Sequence, residues 1–207
     1  MRDNNPKRNA LNCRSAFVCA EAFQRIADQF IPTIAGIAES KPSQMSPEMG
    51  NLVACATNLA FAIELYLKAL LMYFELPVPQ LHNLHTLYSK IPSEAKDLIE
   101  GTYDSSWRKE WLGRKASITL SKGPPRTPHW DDNSNRPKAL SDLLERSKTL
   151  CESWRYVFES KTADPLSHEL HEFEYGLLRT AAEAMRVEIS LRLKDTEQAN
   201  QSDRLKN

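Results

Sequence analysis

Glycine is scarce in this chain, with six in 207 residues. A fold of many short strands joined by tight turns needs more of it, so the count argues against a strand-rich architecture. Net charge is also missing: 27 Lys and Arg balance 27 Asp and Glu. That excludes a protein that coats nucleic acid by bulk charge, but not a local basic patch. The four cysteines, Cys13, Cys19, Cys55 and Cys151, form no C-x-x-C pair. Scattered among apolar residues, they read as reduced, mostly buried thiols of a cytoplasmic protein. The first residues, Met-Arg-Asp-Asn-Asn-Pro-Lys-Arg, have no apolar core of a signal peptide. No internal repeat and no sustained strand alternation is present. Only Leu52 to Phe74 is long and apolar enough to raise a membrane span, and Asn58, Glu64 and Lys68 interrupt it. Each charge would cost about 2.5–3.5 kcal/mol at a bilayer centre. The stretch is therefore expected to be the buried helix of a non-membrane protein.

What is present is helical periodicity. Ala16, Ala20, Phe23, Ala27, Phe30, Ile34 and Ile37 recur at steps of four and three, predicting a first helix over about 11–38. Pro32 should kink or divide it near Phe30. Ser46-Pro47-Glu48 has the cap, first-turn proline and acidic residue of a helix start, and this second helix should run to about Glu75. A short helix follows from Leu81 to Ile91, and Ser93 should cap another over about 94–102. The stretch 103–136 breaks the rhythm and reads as a long irregular insertion, with Ser117–Ser121 as a short extended piece. A further helix over about 137–160 carries Leu140, Leu143, Leu144, Leu150, Cys151, Trp154 and Phe158 on its buried stripe. Ser167 should cap the last helix, to about Lys194, with Leu170, Phe173, Leu177, Ala181, Ala184, Val187 and Leu191 inward. The expected fold is all-α: an antiparallel, up-and-down helical bundle of four to six helices. Its single domain spans 11–195, between flexible polar tails at 1–10 and 196–207.

Three segments, in order, carry a family likeness: Glu64-Leu-Tyr-Leu-Lys68-Ala-Leu-Leu71, then His82-Asn-Leu-x-x-Leu87-Tyr88-x-x-Ile91-Pro92, then Trp154-Arg-Tyr-Val-Phe-Glu159. Over about residues 50–190 the chain resembles the HEPN superfamily, small helical proteins of bacterial defence and toxin–antitoxin systems. The resemblance implies a homodimer built on long helices; no cofactor is expected. It also implies RNA or a companion protein, such as a nucleotidyltransferase-type partner, as the thing bound. Many such proteins are metal-independent ribonucleases whose site is an Arg followed four to six residues later by a His. The His moves a proton and the Arg stabilises phosphate charge. None of His82, His85, His129, His168 or His171 stands at that distance beyond an Arg. The expectation is therefore a binding or regulatory module. The alternatives are a ribonuclease with a displaced set, Arg155 with His168 or His171, and a purely structural scaffold.

The candidate residues fall into three groups. Glu64 and Lys68 are four apart in the favourable order and form an intrahelical pair worth about 0.2–0.5 kcal/mol if exposed, or a polar seam if buried. Arg155, Tyr156 and Glu159 make a second polar group, and Glu64 is expected to meet Arg155 if the two helices pack together. His82 should cap the short helix or bond back to the bundle. Trp107, Arg108, Lys109, Trp111, Arg114, Lys115, Lys122, Arg126 and Trp130 combine cations with aromatics, the composition that contacts phosphates and stacks bases. Alternatively the tryptophans anchor the insertion to the bundle. His168 and His171 lack the H-E-x-x-H spacing and a third ligand, so no metal is expected there.

Overall fold

A computed structural model describes residues 6–39, 47–110, 116–121, 139–155 and 168–204. The chain is all-α in architecture, a bundle built on three long helices: α1 (Pro6–Glu39), α2 (Pro47–Tyr73) and α7 (Tyr175–Arg204). Shorter helices close its sides: α3 (Leu84–Ser89), α4 (Ser93–Glu110), α5 (Leu140–Arg146) and α6 (Leu150–Ser153). One antiparallel ribbon, β1 (Ala116–Ser121) with β2 (His168–Phe173), pairs Ala116 with Phe173 through Ser121 with His168.

α2 is the centre. Most apolar side chains from Leu52 to Leu71 are buried, against α1 on one side and α7 on another. By length and composition Gly50–Tyr73 would pass as a membrane span, yet 61% of that window is buried inside the bundle. The α1–α2 interface is lined by small residues at seven-residue steps on both helices: Cys13, Ala20 and Ala27 facing Ala69, Ala62 and Cys55. Small side chains let antiparallel backbones come close. Here they come close enough for thiols to reach the neighbouring main chain. Cys13 Sγ donates to the Ala69 carbonyl at 3.3 Å, and Cys55 Sγ to the Ala27 carbonyl at 3.5 Å.

α2 ends in a Schellman turn, with Leu76 N–H on the Leu71 carbonyl (2.8 Å) and Glu75 N–H on the Met72 carbonyl (3.1 Å). The residue in the left-handed position is Glu75, at φ 55°, where glycine is the usual occupant. Asn83 then caps α3, its side chain accepting from Thr86 N–H at 2.8 Å. Leu84, Leu87 and Tyr88 pack inward from α3.

Several boundaries differ from the sequence expectation. α1 begins at Pro6, inside the expected N-terminal tail, and runs through Pro32 undivided. Proline there removes only the bond to the carbonyl of residue 28, and its φ is already helical. α4 starts at Ser93 and continues to Glu110, so residues 103–110 of the expected insertion are helix. Tyr103 is fully buried on it and Trp107 packs against the core, which is what prolongs it. The expected 137–160 helix is broken at Ser147–Thr149 into α5 and α6. The break turns the Lys148 carbonyl to the Leu84 N–H (3.2 Å), a first-turn donor with no partner inside α3. Residues 168–173 are strand rather than the start of the last helix, because β1 supplies their main-chain partners. α7 starts at Tyr175 and continues to Arg204, through most of the expected C-terminal tail. Its inward face holds the expected Leu177, Ala181 and Ala184 together with Leu178, Ala182, Met185 and Ile189, whereas the expected Leu191 is 53% exposed. The stripe holds through Ala184 and leaves the core only by Leu191, as a heptad count drifts off a straight helix of 3.6 residues per turn.

Candidate functional site

The bundle's polar centre is Glu64. Its carboxylate sits at the middle of α2, with a side chain only 5% exposed. An ionised carboxylate so placed is costly unless donors surround it. Three do, from three elements. Lys68, one turn on along α2, brings Nζ to 2.6 Å of Oε1. His82, held by the turn before α3, brings Nδ1 to 3.1 Å of Oε1 and 3.0 Å of Oε2. Cys151 on α6 donates its thiol to Oε2 at 3.4 Å. Trp154, one turn later and fully buried, anchors that end of α6 in the core.

The electrostatics follow from this geometry. Burial is the largest single influence on the Glu64 carboxyl and pushes its pKa up. The hydrogen bonds from Lys68, His82 and Cys151, with the Lys68 charge, together outweigh it and hold the carboxyl below the usual range. The Cys151 thiol moves the other way: burial and the Glu64 charge raise it well above an ordinary cysteine. It stays protonated, which keeps it a donor and removes it as a nucleophile at neutral pH. Exposure rises outward through the cluster, from Glu64 to Lys68 (17%) to His82 (51%).

The structure thus brings Glu64, Lys68 and His82 together. His82 bonds back to the bundle, and the cap of α3 is its neighbour Asn83. From the tryptophan-bearing segment, the residue that reaches Glu64 is Cys151 rather than Arg155, which lies exposed one turn further on. Tyr156 and Glu159 lie outside the described residues, as do Trp111, Arg114, Lys115, Lys122, Arg126 and Trp130. Arg108 and Lys109 fall on the last turn of α4. Trp107 is half-buried, with Nε1 on Asp104 Oδ1 at 3.2 Å, so this tryptophan anchors α4 to the core. His168 and His171 stand on β2, opposite Ser121 and Ile118. Three-residue spacing joins two residues on a helix but not on a strand, so the helical argument for pairing them falls. Among the described residues, no group of three or more His, Cys, Asp or Glu is arranged to hold a metal ion.

A second polar layer, which the sequence did not announce, ties α1, α2 and α7. Buried Tyr66 donates to Gln24 Oε1 at 2.7 Å, and Gln24 Nε2 reaches Glu183 Oε2 at 3.3 Å. Arg186 grips the same carboxylate with two bonds, of 2.8 and 2.6 Å, and Arg179 pairs with Asp28 at 2.8 Å. Below it, buried Glu188 takes Arg192, whose guanidinium stacks 4.6 Å from the Phe74 ring. Gln24 and Tyr66 sit in otherwise apolar stripes. Their only sequence signal is a polar group at a core position, and the partner lies 42 residues away.

No family model, curated protein or solved structure matches the chain.

Proposed function

We propose that this chain is a HEPN-like binding module, cytoplasmic and acting as a homodimer, that engages RNA or a companion protein of a bacterial defence or toxin–antitoxin pair. One observation carries the reading. Two of the three segments behind the resemblance meet at one carboxylate, and the third begins three residues after the thiol that completes the set. α2 gives Glu64 and Lys68, the α3 entry gives His82, and Cys151, just ahead of the buried Trp154 that opens the third segment, gives the last donor. A shared polar seam between the first two motifs, with the third packed beside it, supports their belonging to one fold. The cations and tryptophans following Trp107 supply the chemistry for a nucleic-acid partner.

The test is binding of single-stranded RNA to the purified full chain across a salt series. Affinity should fall steeply with salt as phosphate counterions are displaced. Absence of binding at low salt, together with no co-purifying protein, would leave only a scaffold. Incubation with a mixed RNA pool, with His168→Ala and His171→Ala as controls, separates binding from cleavage. Intact RNA is the expected result.

A further inference from the structure

We propose that the outer rim of the Glu64 seam binds one phosphate-type oxyanion, through the Lys68 ammonium and the far nitrogen of His82. The choice of ligand rests on the binding-module reading; the site itself rests on geometry.

Lys68 Nζ and His82 Nδ1 both touch Oε1 of Glu64, at 2.6 and 3.1 Å, so the ammonium and the imidazole are neighbours. Each commits only part of its donor capacity there. An ammonium carries three N–H groups, and an imidazole has a second nitrogen. Among the described residues neither side chain makes a further hydrogen bond. His82 is half-exposed while its Nδ1 edge faces a buried carboxylate, so Nε2 is on the water side. Lys68 keeps partial access beside it. Glu64 is already engaged by Lys68, His82 and Cys151. It therefore orients both heads, as a buried carboxylate does for a working imidazole. Glu64 and Lys68 cancel in charge, so the proposed site draws its attraction from the Lys68 N–H groups that Glu64 leaves unused and from the imidazolium form of His82 that a bound oxyanion would favour. One phosphate group accepting from Nε2–H and Nζ–H would make two charge-assisted bonds to donors held in place before it arrives. A backbone phosphate of nucleic acid and inorganic phosphate present the same chemistry.

The experiment follows the histidine ring signals of the full chain by NMR, with His82 assigned by its loss in His82→Gln. Inorganic phosphate and a short single-stranded RNA are titrated separately, against chloride at matched ionic strength. Saturable movement of the His82 signals with phosphate, at about millimolar affinity, supports the site. Movement with RNA alone also supports it and makes the nucleic-acid backbone the source. Phosphorus line broadening should fall about tenfold in affinity in Lys68→Met and in the more conservative His82→Gln. No saturable movement with either ligand overturns the proposal, as does unchanged phosphate affinity in His82→Gln that melts cooperatively. RNA that binds without moving His82 overturns the site and leaves the binding module standing. Phosphate that moves His82 in a chain with no affinity for RNA keeps the site and removes RNA from the proposed function.

Discussion

Glu64→Gln keeps the shape of the side chain and removes its charge. The carboxylate accepts from Lys68 at 2.6 Å, His82 at 3.0 Å and Cys151 at 3.4 Å. A hydrogen bond to a charged group contributes about 1.5–3 kcal/mol. Three terms make the loss smaller than three such bonds. The amide oxygen still accepts. Lys68 and His82, at 17% and 51% exposure, reach water once released. The cost of burying a charge also disappears. The expected loss is about 1–3 kcal/mol, read as a lowered urea midpoint at pH 7 with an unchanged slope. The pH dependence has a definite sign. The folded Glu64 carboxyl lies below its unfolded value of about 4.3. Its contribution is therefore fully present above that value and fades as pH falls through the folded pKa. Wild type should lose more stability than Glu64→Gln on acidification from pH 5 downward. A Glu64→Gln protein as stable as wild type, with the same acid slope, would refute the idea that this carboxylate holds the seam.

Glu75→Gly should stabilise the protein by about 0.5–1 kcal/mol, since glycine takes φ 55° without strain and a carboxylate opposes the helix C-terminal dipole; thermal melts decide it, and a lower Tm would count against the strain argument. Tyr66→Phe should cost about 1–2 kcal/mol by leaving the buried Gln24 carbonyl without its donor, measured by urea unfolding. Under native conditions a maleimide should label Cys19 alone of the four cysteines. Burial shields the other three and raises their thiols, Cys13 to about 11 and Cys55 to about 12, so they should react only on unfolding. Rapid native labelling of more than one thiol per chain would contradict the packing of α1 on α2.

Much of this architecture is written in local periodicity. The apolar run around Glu64 demanded a central helix, and four-residue spacing put Lys68 beside the carboxylate before any coordinates. The stripes of Leu140–Trp154 named the right buried residues even though the helix is broken, because burial follows the apolar pattern while the break depends on a carbonyl meeting Leu84. Contacts across long stretches of chain left no local mark. Cys151 lies 87 residues from Glu64, and nothing near either says that one donates to the other. His168–Phe173 carries enough apolar spacing to pass as a helix start. Only the presence of β1, some fifty residues earlier, makes it a strand. The hydrogen-bonded pair of Tyr66 and Gln24 shows the same limit: each is unremarkable alone, and the meaning is in the pairing.

The alanine and cysteine ladder between α1 and α2 repeats every seven residues on both rods, so sliding one past the other by a heptad would again set small side chain against small side chain. The ladder alone would tolerate that mistake. The phenol of Tyr66 would not, since it would lose the Gln24 side chain, while the thiols would only exchange one main-chain carbonyl for the next along the ladder. The alignment of the two helices is thus chosen by the Tyr66–Gln24 tie and the Phe17–Tyr66 and Phe23–Phe61 ring contacts rather than by the ladder of small residues. Replacing Gln24, Phe17 and Phe23 with small apolar residues should yield a protein that still collapses but samples more than one offset.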